Sequence, residues 1–169
     1  MGEGGRTSLV AALEGYVKLN VDAGVKEGEG VGVGAVCRDA QGGVLWGVSR
    51  AWKEVWEPHI AEAVAVLEVL EEAARMGHTH VIVESDCIQV INALEKNKTG
   101  RSIFYLVLDD ILSLSVSFQS IIWSYTSRAN NYVAHTLAHL VPRCFDRSVS
   151  SDVLPPIANN AVIADLLSI

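Results

Sequence analysis

The run from Pro58 to Met76 constrains this chain more than any other stretch. At about 100° per residue, Glu68, Glu71, Glu72 and Arg75 fall in one arc, while Ala65, Val66, Val69, Ala73 and Met76 share another. Pro58 suits the first turn of a helix, and Gly77 stops it. Such a helix covers a sheet with its apolar arc, and strand-like runs stand on both sides of it. Glu62 falls on the apolar arc, where a carboxylate needs a cation, a donor or a proton to offset its desolvation. A first-turn Glu favoured by the helix dipole is an equally good reading from this helix alone.

Before the helix, Tyr16 to Asp22 alternates Val17, Leu19 and Val21 with Lys18, Asn20 and Asp22, the period of a strand that buries one face. The run stops at Ala23-Gly24, which puts Asp22 at a strand end, where Asp is commonly a turn former. The glycines from Gly28 to Gly34 lack the Gly-Lys-Ser/Thr of a phosphate loop and read as a turn and a strand with a closely packed neighbour. Ala40 to Gly43 makes a hairpin turn, and Val44 to Ser49 returns as a third antiparallel strand.

After the helix, Thr79 to Glu84 is a β-branched run fitting a buried strand that ends at Ser85-Asp86. A second helix follows from Asp86 to about Lys96, packing through Ile88, Ile91, Ala93 and Leu94. Asp86 has the spacing of a capping-box N-cap, which is the favoured reading of that residue alone. A third helix spans about Ser102 to Leu114, a fifth strand Phe118 to Ser124, and a last helix about Asn130 to Leu140. In that helix Val133, Ala134, Leu137, Ala138 and Val141 form the apolar stripe, leaving Asn131, His135 and His139 on a neighbouring side. The two histidines have a spacing that chelates zinc, but Thr136 stands where a zincin helix carries its Glu, and no third ligand is evident.

These elements describe an α/β protein with a five-stranded mixed sheet, its first three strands antiparallel, flanked by helices. Three acids converging on it, Asp22, Glu62 and Asp86, would repel one another without cations, and hard oxygen ligands suit Mg²⁺ or Mn²⁺. The net charge of -7 and pI near 5.1 exclude a general electrostatic grip on nucleic acid. Only Lys96, Lys98 and Arg101 form a compact basic group, the best available phosphate contact, although a solvated loop is the commoner reading of three such charges. Three cysteines match neither a metal-ligand nor a disulfide framework, so a reducing, intracellular setting, cytoplasmic or nuclear, is expected. No apolar run approaches the roughly 20 residues that span a bilayer, and a monomer without membrane contact is expected.

Asn20-Val21-Asp22, Ala61-Glu62-Ala63, Glu84-Ser85-Asp86 and the run from Ala129 to Ala138 together resemble the ordered motifs of ribonuclease H domains, most closely the plant reverse-transcriptase-like group. The resemblance covers about residues 16 to 141, between a glycine-rich leader at 1–15 and a tail at 142–169 expected to dock on the domain; the Pro155-Pro156 of that tail also resembles the plant group. It implies a ribonuclease H-like fold and a two-metal nuclease that cuts the RNA strand of RNA/DNA hybrids to leave a 5′ phosphate, with Mg²⁺ or Mn²⁺ as cofactor. Asp22, Glu62 and Asp86 would be the metal ligands, His135 would complete the catalytic set, and Asn130 would join Lys96, Lys98 and Arg101 in contacting nucleic acid.

Two departures matter. The fourth acidic position of active relatives falls on His135, a poorer Mg²⁺ ligand that can still bind Mn²⁺ or move a proton. The glycine usual after the first Asp is replaced by Ala23, whose Cβ is expected to hinder a nucleic-acid backbone. These departures and the acidic balance motivate a rival reading, a ribonuclease H-like module that binds nucleic acid or protein with little or no catalysis.

Overall fold

Three β-patterned runs before the long helix pair in chain order, and two later runs add to the far side of the first. The structure, a computed structural model, describes residues 13–140 together with 159 and 160. Most of the leader, Val141, Cys144, Pro155-Pro156 and the apolar run at 161–167 lie outside the described residues. Strands β1 (Val17–Lys26), β2 (Gly30–Arg38) and β3 (Val44–Trp52) form an antiparallel meander. Helix α1 (Pro58–Arg75) then crosses to β4 (His80–Ser85), which lies parallel to β1. Helices α2 (Ile88–Glu95) and α3 (Ile103–Ser115) lead to β5 (Ser120–Tyr125), parallel to β4, and a 3₁₀ turn at Arg128–Asn131 opens α4 (Tyr132–Leu140). The sheet order is β3-β2-β1-β4-β5, the five-stranded mixed sheet expected from the sequence.

Local chemistry explains the element ends. Pro58 opens α1 with its fixed φ, and Gly77, at φ 82°, closes it while the His78 amide donates to the Ala73 carbonyl. The β2–β3 turn is held by Asp39, whose Oδ1 accepts from the amides of Gln41 at 2.9 Å and Gly43 at 2.7 Å.

The main core lies between the sheet and α1 with α3. Leu19 and Val21 of β1 meet Val66, Val69 and Leu70 of α1 and Leu108 and Ile111 of α3, all fully buried. One expectation fails here. The opposite face of β1 is not solvated: Lys18, Asn20 and Asp22 are buried as well. Helix α4 covers β1 and β2 on that side, with Val133 and Leu137 packed on Val36. Lys18 Nζ meets Glu84 Oε1 at 3.1 Å and Asn20 Nδ2 meets Glu84 Oε2 at 2.9 Å, while Asn20 Oδ1 and Asp22 Oδ1 find no donor from the surrounding protein. Among the charged arc of α1, Glu72 is also buried, with Arg75 folded over it, and Glu68 pairs with Arg50 of β3.

A second correction concerns β1 itself. It does not stop at Ala23-Gly24 but runs on to Lys26, because β2 keeps pairing alongside it, Gly24 opposite Gly32. What ends near Asp22 is the parallel neighbour: β4 finishes at Ser85, which pairs with Val21. Asp22 thus stands just past the carboxyl end of a parallel strand, the usual location of sites in open α/β sheets.

Candidate active site

Three elements deliver the acids. Asp22 comes from β1 on the α4 side, Glu62 from the second turn of α1, and Asp86 from the link between β4 and α2. Their carboxylate oxygens lie within 4.8 Å of one another. Asp86 is not the N-cap that its spacing suggested: Cys87 holds that place without a side-chain bond, and Ser85 Oγ accepts from the Cys87 amide at 3.0 Å. The Asp86 carboxylate is left free to turn toward the other two acids, and Arg128 meets its outer oxygen at 3.1 Å.

Burial makes the cluster costly without a counter-charge. Desolvation, then the Asp22 and Asp86 charges, push the Glu62 carboxyl up to about 9. Burial and the Asp86 charge likewise raise Asp22, against the pull of His135. Asp22 Oδ1 and Glu62 Oε2 are buried with no donor from the surrounding protein, and the two carboxyls can bond each other only by sharing a proton. Two orphaned carboxylate oxygens beside a third carboxylate fit a hard divalent cation: Asp22, Glu62 and Asp86 supply the oxygens such an ion prefers.

A pH prediction follows for the metal-free protein. Because folding raises the Glu62 value from 4.5 to about 9, the native state holds a proton that the unfolded chain has released across that window. The Glu62 contribution to stability is therefore complete below about 4.5 and is lost as pH rises toward 9. Thermal unfolding should show Glu62→Gln to be about 1–2 kcal/mol more stable than the parent at pH 8 without metal. The difference should vanish near pH 4.

His135 stands where the sequence placed it, its Nδ1 2.7 Å from Asp22 Oδ2. The seating depends on α4 and on the turn before it. Asn131 Nδ2 donates to the Val21 carbonyl at 2.7 Å, pinning the start of α4 beside Asp22. Sequence reading set Asn131 beside the histidines, whereas it is fully buried as this anchor. Asn130 gives only its amide to the turn, through the carbonyl and hydroxyl of Ser127. Arg128 was missed: the one sequence signal was the Ser127 N-cap pattern, which fixes the turn but not where the guanidinium goes.

Ala23 does not obstruct the site. Its side chain points to the opposite face from Asp22 and packs against the main core. Lys96, Lys98 and Arg101 are exposed in the α2–α3 connection and take no part in the acidic cluster. Of the described cysteines, Cys37 and Cys87 are both free, and burial raises both thiols.

The sequence matches the reverse transcriptase-like family over residues 20–141, which span β1 through α4 and every acid of the cluster. The chain belongs to that family. Reverse transcriptase-like domains share the ribonuclease H-like fold seen here, and solved structures agree. RNase H1 of the archaeon Halobacterium salinarum superposes with a TM-score of 0.68 at 21% identity, over 73% of this chain and 94% of that one. The N-terminal RNase H domain of a Mycobacterium tuberculosis protein gives 0.67 at 24%, over 73% and 95%. LC11-RNase H1, solved with an RNA/DNA hybrid, gives 0.66 at 18%, over 72% and 92%. No match was found among curated proteins.

Proposed function

We propose that this reverse transcriptase-like domain is a divalent-metal-dependent endonuclease of the ribonuclease H type, cutting the RNA strand of RNA/DNA hybrids. The observation that carries the reading is the trio Asp22, Glu62 and Asp86, with ligand oxygens within 4.8 Å and two of them orphaned. The similarity to a structure holding an RNA/DNA hybrid supports the choice of substrate. Bound Mg²⁺ or Mn²⁺ ions would supply Lewis acidity, activating a water and offsetting charge on the scissile phosphate.

The chain's own residues do the rest. Asp22, fixed between two strands, and Glu62, fixed on a packed helix, hold the cation ligands at a set separation, so little reorganisation is needed. His135 is half-buried at the rim, with one ring nitrogen on Asp22, and the imidazole is placed to pass a proton between the site and solvent. Arg128 neutralises Asp86 and, on an exposed stem, is placed to meet a phosphate. Lys96, Lys98 and Arg101 would steady the backbone of the duplex farther out, with an affinity that falls steeply with salt.

A binding module with little turnover is favoured by a separate observation: His135 and Arg128 already engage Asp22 and Asp86 from within the protein. The deciding experiment incubates the metal-stripped protein with a labelled hybrid, and with single-stranded and duplex RNA, in Mg²⁺ or Mn²⁺. Hybrid-specific cleavage is expected. Binding without cleavage in either ion establishes the module instead.

A further inference from the structure

We propose that Asp22, His135 and His139 form a second cation site, one that takes a borderline transition ion, Zn²⁺. Spacing alone gave two histidines four apart on α4 and no third ligand. The fold supplies it. Two residues along a strand and four along a helix both advance about 6–7 Å. With α4 laid on β1, His135 therefore faces Asp22, and His139 lies over Gly24. A ligand atom from each of Asp22, His135 and His139 lies within 4.8 Å of the other two.

Three features make this a built site. The two rings sit with centroids 4.2 Å apart, which brings both imidazoles to the same side of Asp22. His139 Nδ1 lies 2.9 Å from the His135 carbonyl. A carbonyl only accepts, so Nδ1 carries the hydrogen and Nε2 presents its lone pair, the orientation that a metal-bound histidine receives from such a carbonyl. Asp22 is 1% exposed, with Oδ2 on His135 and Oδ1 without a partner.

Space is provided as well. A Cβ at Gly24 would come within 2.8 Å of His139 Cε1, so the bare glycine lets the ring rest on β1. Beside His139 opens a cavity of about 340 Å³, lined also by Lys26, Glu29 and Ala138 but by neither Asp22 nor His135, so the exposed ring is not locked on its outer side. Ligand bonds of about 2.0–2.1 Å require the three side chains to draw somewhat closer around the ion. Two imidazoles and one carboxylate suit Zn²⁺ and disfavour Mg²⁺, and three protein ligands leave a fourth position for water. Since Asp22 belongs to both sets, Zn²⁺ here withdraws it from Glu62 and Asp86.

The site is tested by binding, so it stands or falls apart from nuclease activity. The full chain, stripped of metal, is titrated with Zn²⁺ in a calorimeter, then with Co²⁺ while visible absorption is recorded. One Zn²⁺ per chain and a tetrahedral Co²⁺ spectrum are expected. His139→Ala should weaken Zn²⁺ binding about 100-fold, the upper end of what even the loss of a ligand's supporting partner costs, whereas Glu62→Gln should retain binding. His139 is exposed and bonded only within its own helix, and circular dichroism of the metal-free variant checks its fold. Absence of Zn²⁺ binding, or binding that survives His139→Ala, overturns the proposal. So does binding that is lost in Glu62→Gln.

Discussion

Asp22→Asn should lower hybrid cleavage about 1,000-fold or more in Mg²⁺ while leaving the chain folded. The exchange keeps the shape of the side chain and removes the charge that a cation would need. Losing a group whose charge acts only at the reacting centre typically costs about 10²–10³ in rate, and a shared metal ligand stands at the upper end. The fold should tolerate it, because the position already suffers from its charge: burial and the Asp86 carboxylate both disfavour ionised Asp22. An amide can still hydrogen-bond His135, which then needs only its ordinary tautomer. Steady-state cleavage and thermal unfolding should be measured on the same preparation. Cleavage that survives the substitution excludes a site centred on Asp22.

Gly34→Ala should destabilise the protein by about 3 kcal/mol or more, although it adds one methyl group. Gly34 pairs with Asp22 across β1 and β2 and lies directly beneath α4. A Cβ there would run into backbone, the Ala134 carbonyl oxygen and the Ala138 amide, and a packed helix cannot step aside as a flexible side chain would. Gly42 is the informative contrast. It has open space around it and a φ of 84°, so Gly42→Ala should cost about 1–2 kcal/mol, for conformational reasons alone. Urea midpoints at unchanged m would separate the two. If the Gly34 variant folds at all, α4 must lift, which carries His135 and His139 away from β1. Hybrid cleavage and Zn²⁺ affinity should then fall together.

The glycines of β2 show how far the sequence could be read. Their lack of a phosphate-loop pattern marked them as a closely packed strand, and Gly32 and Gly34 do lie under the α4 backbone. Periodicity also identified α1 from its two arcs and the apolar stripe of α4, because a helix's buried side is written into a spacing of three and four. It misled at Lys18, Asn20 and Asp22. Alternating polar residues normally signal a solvated face, yet here a second layer covers them, and their partners Glu84 and His135 come from elsewhere in the chain.

The sequence by itself determined the order of strands and helices, the mixed sheet and the identity of the three acids, since each depends on local pattern and motif. Tertiary structure alone decided how those acids are used. Whether Asp86 capped a helix or faced Glu62 turned on Ser85 taking over the amide, and where Arg128 went turned on the bend before α4. Whether His135 and His139 had a third ligand turned on α4 lying across β1 in one register. The contacts of α4 with β1 join residues more than a hundred positions apart, and no local periodicity encodes the distance between them.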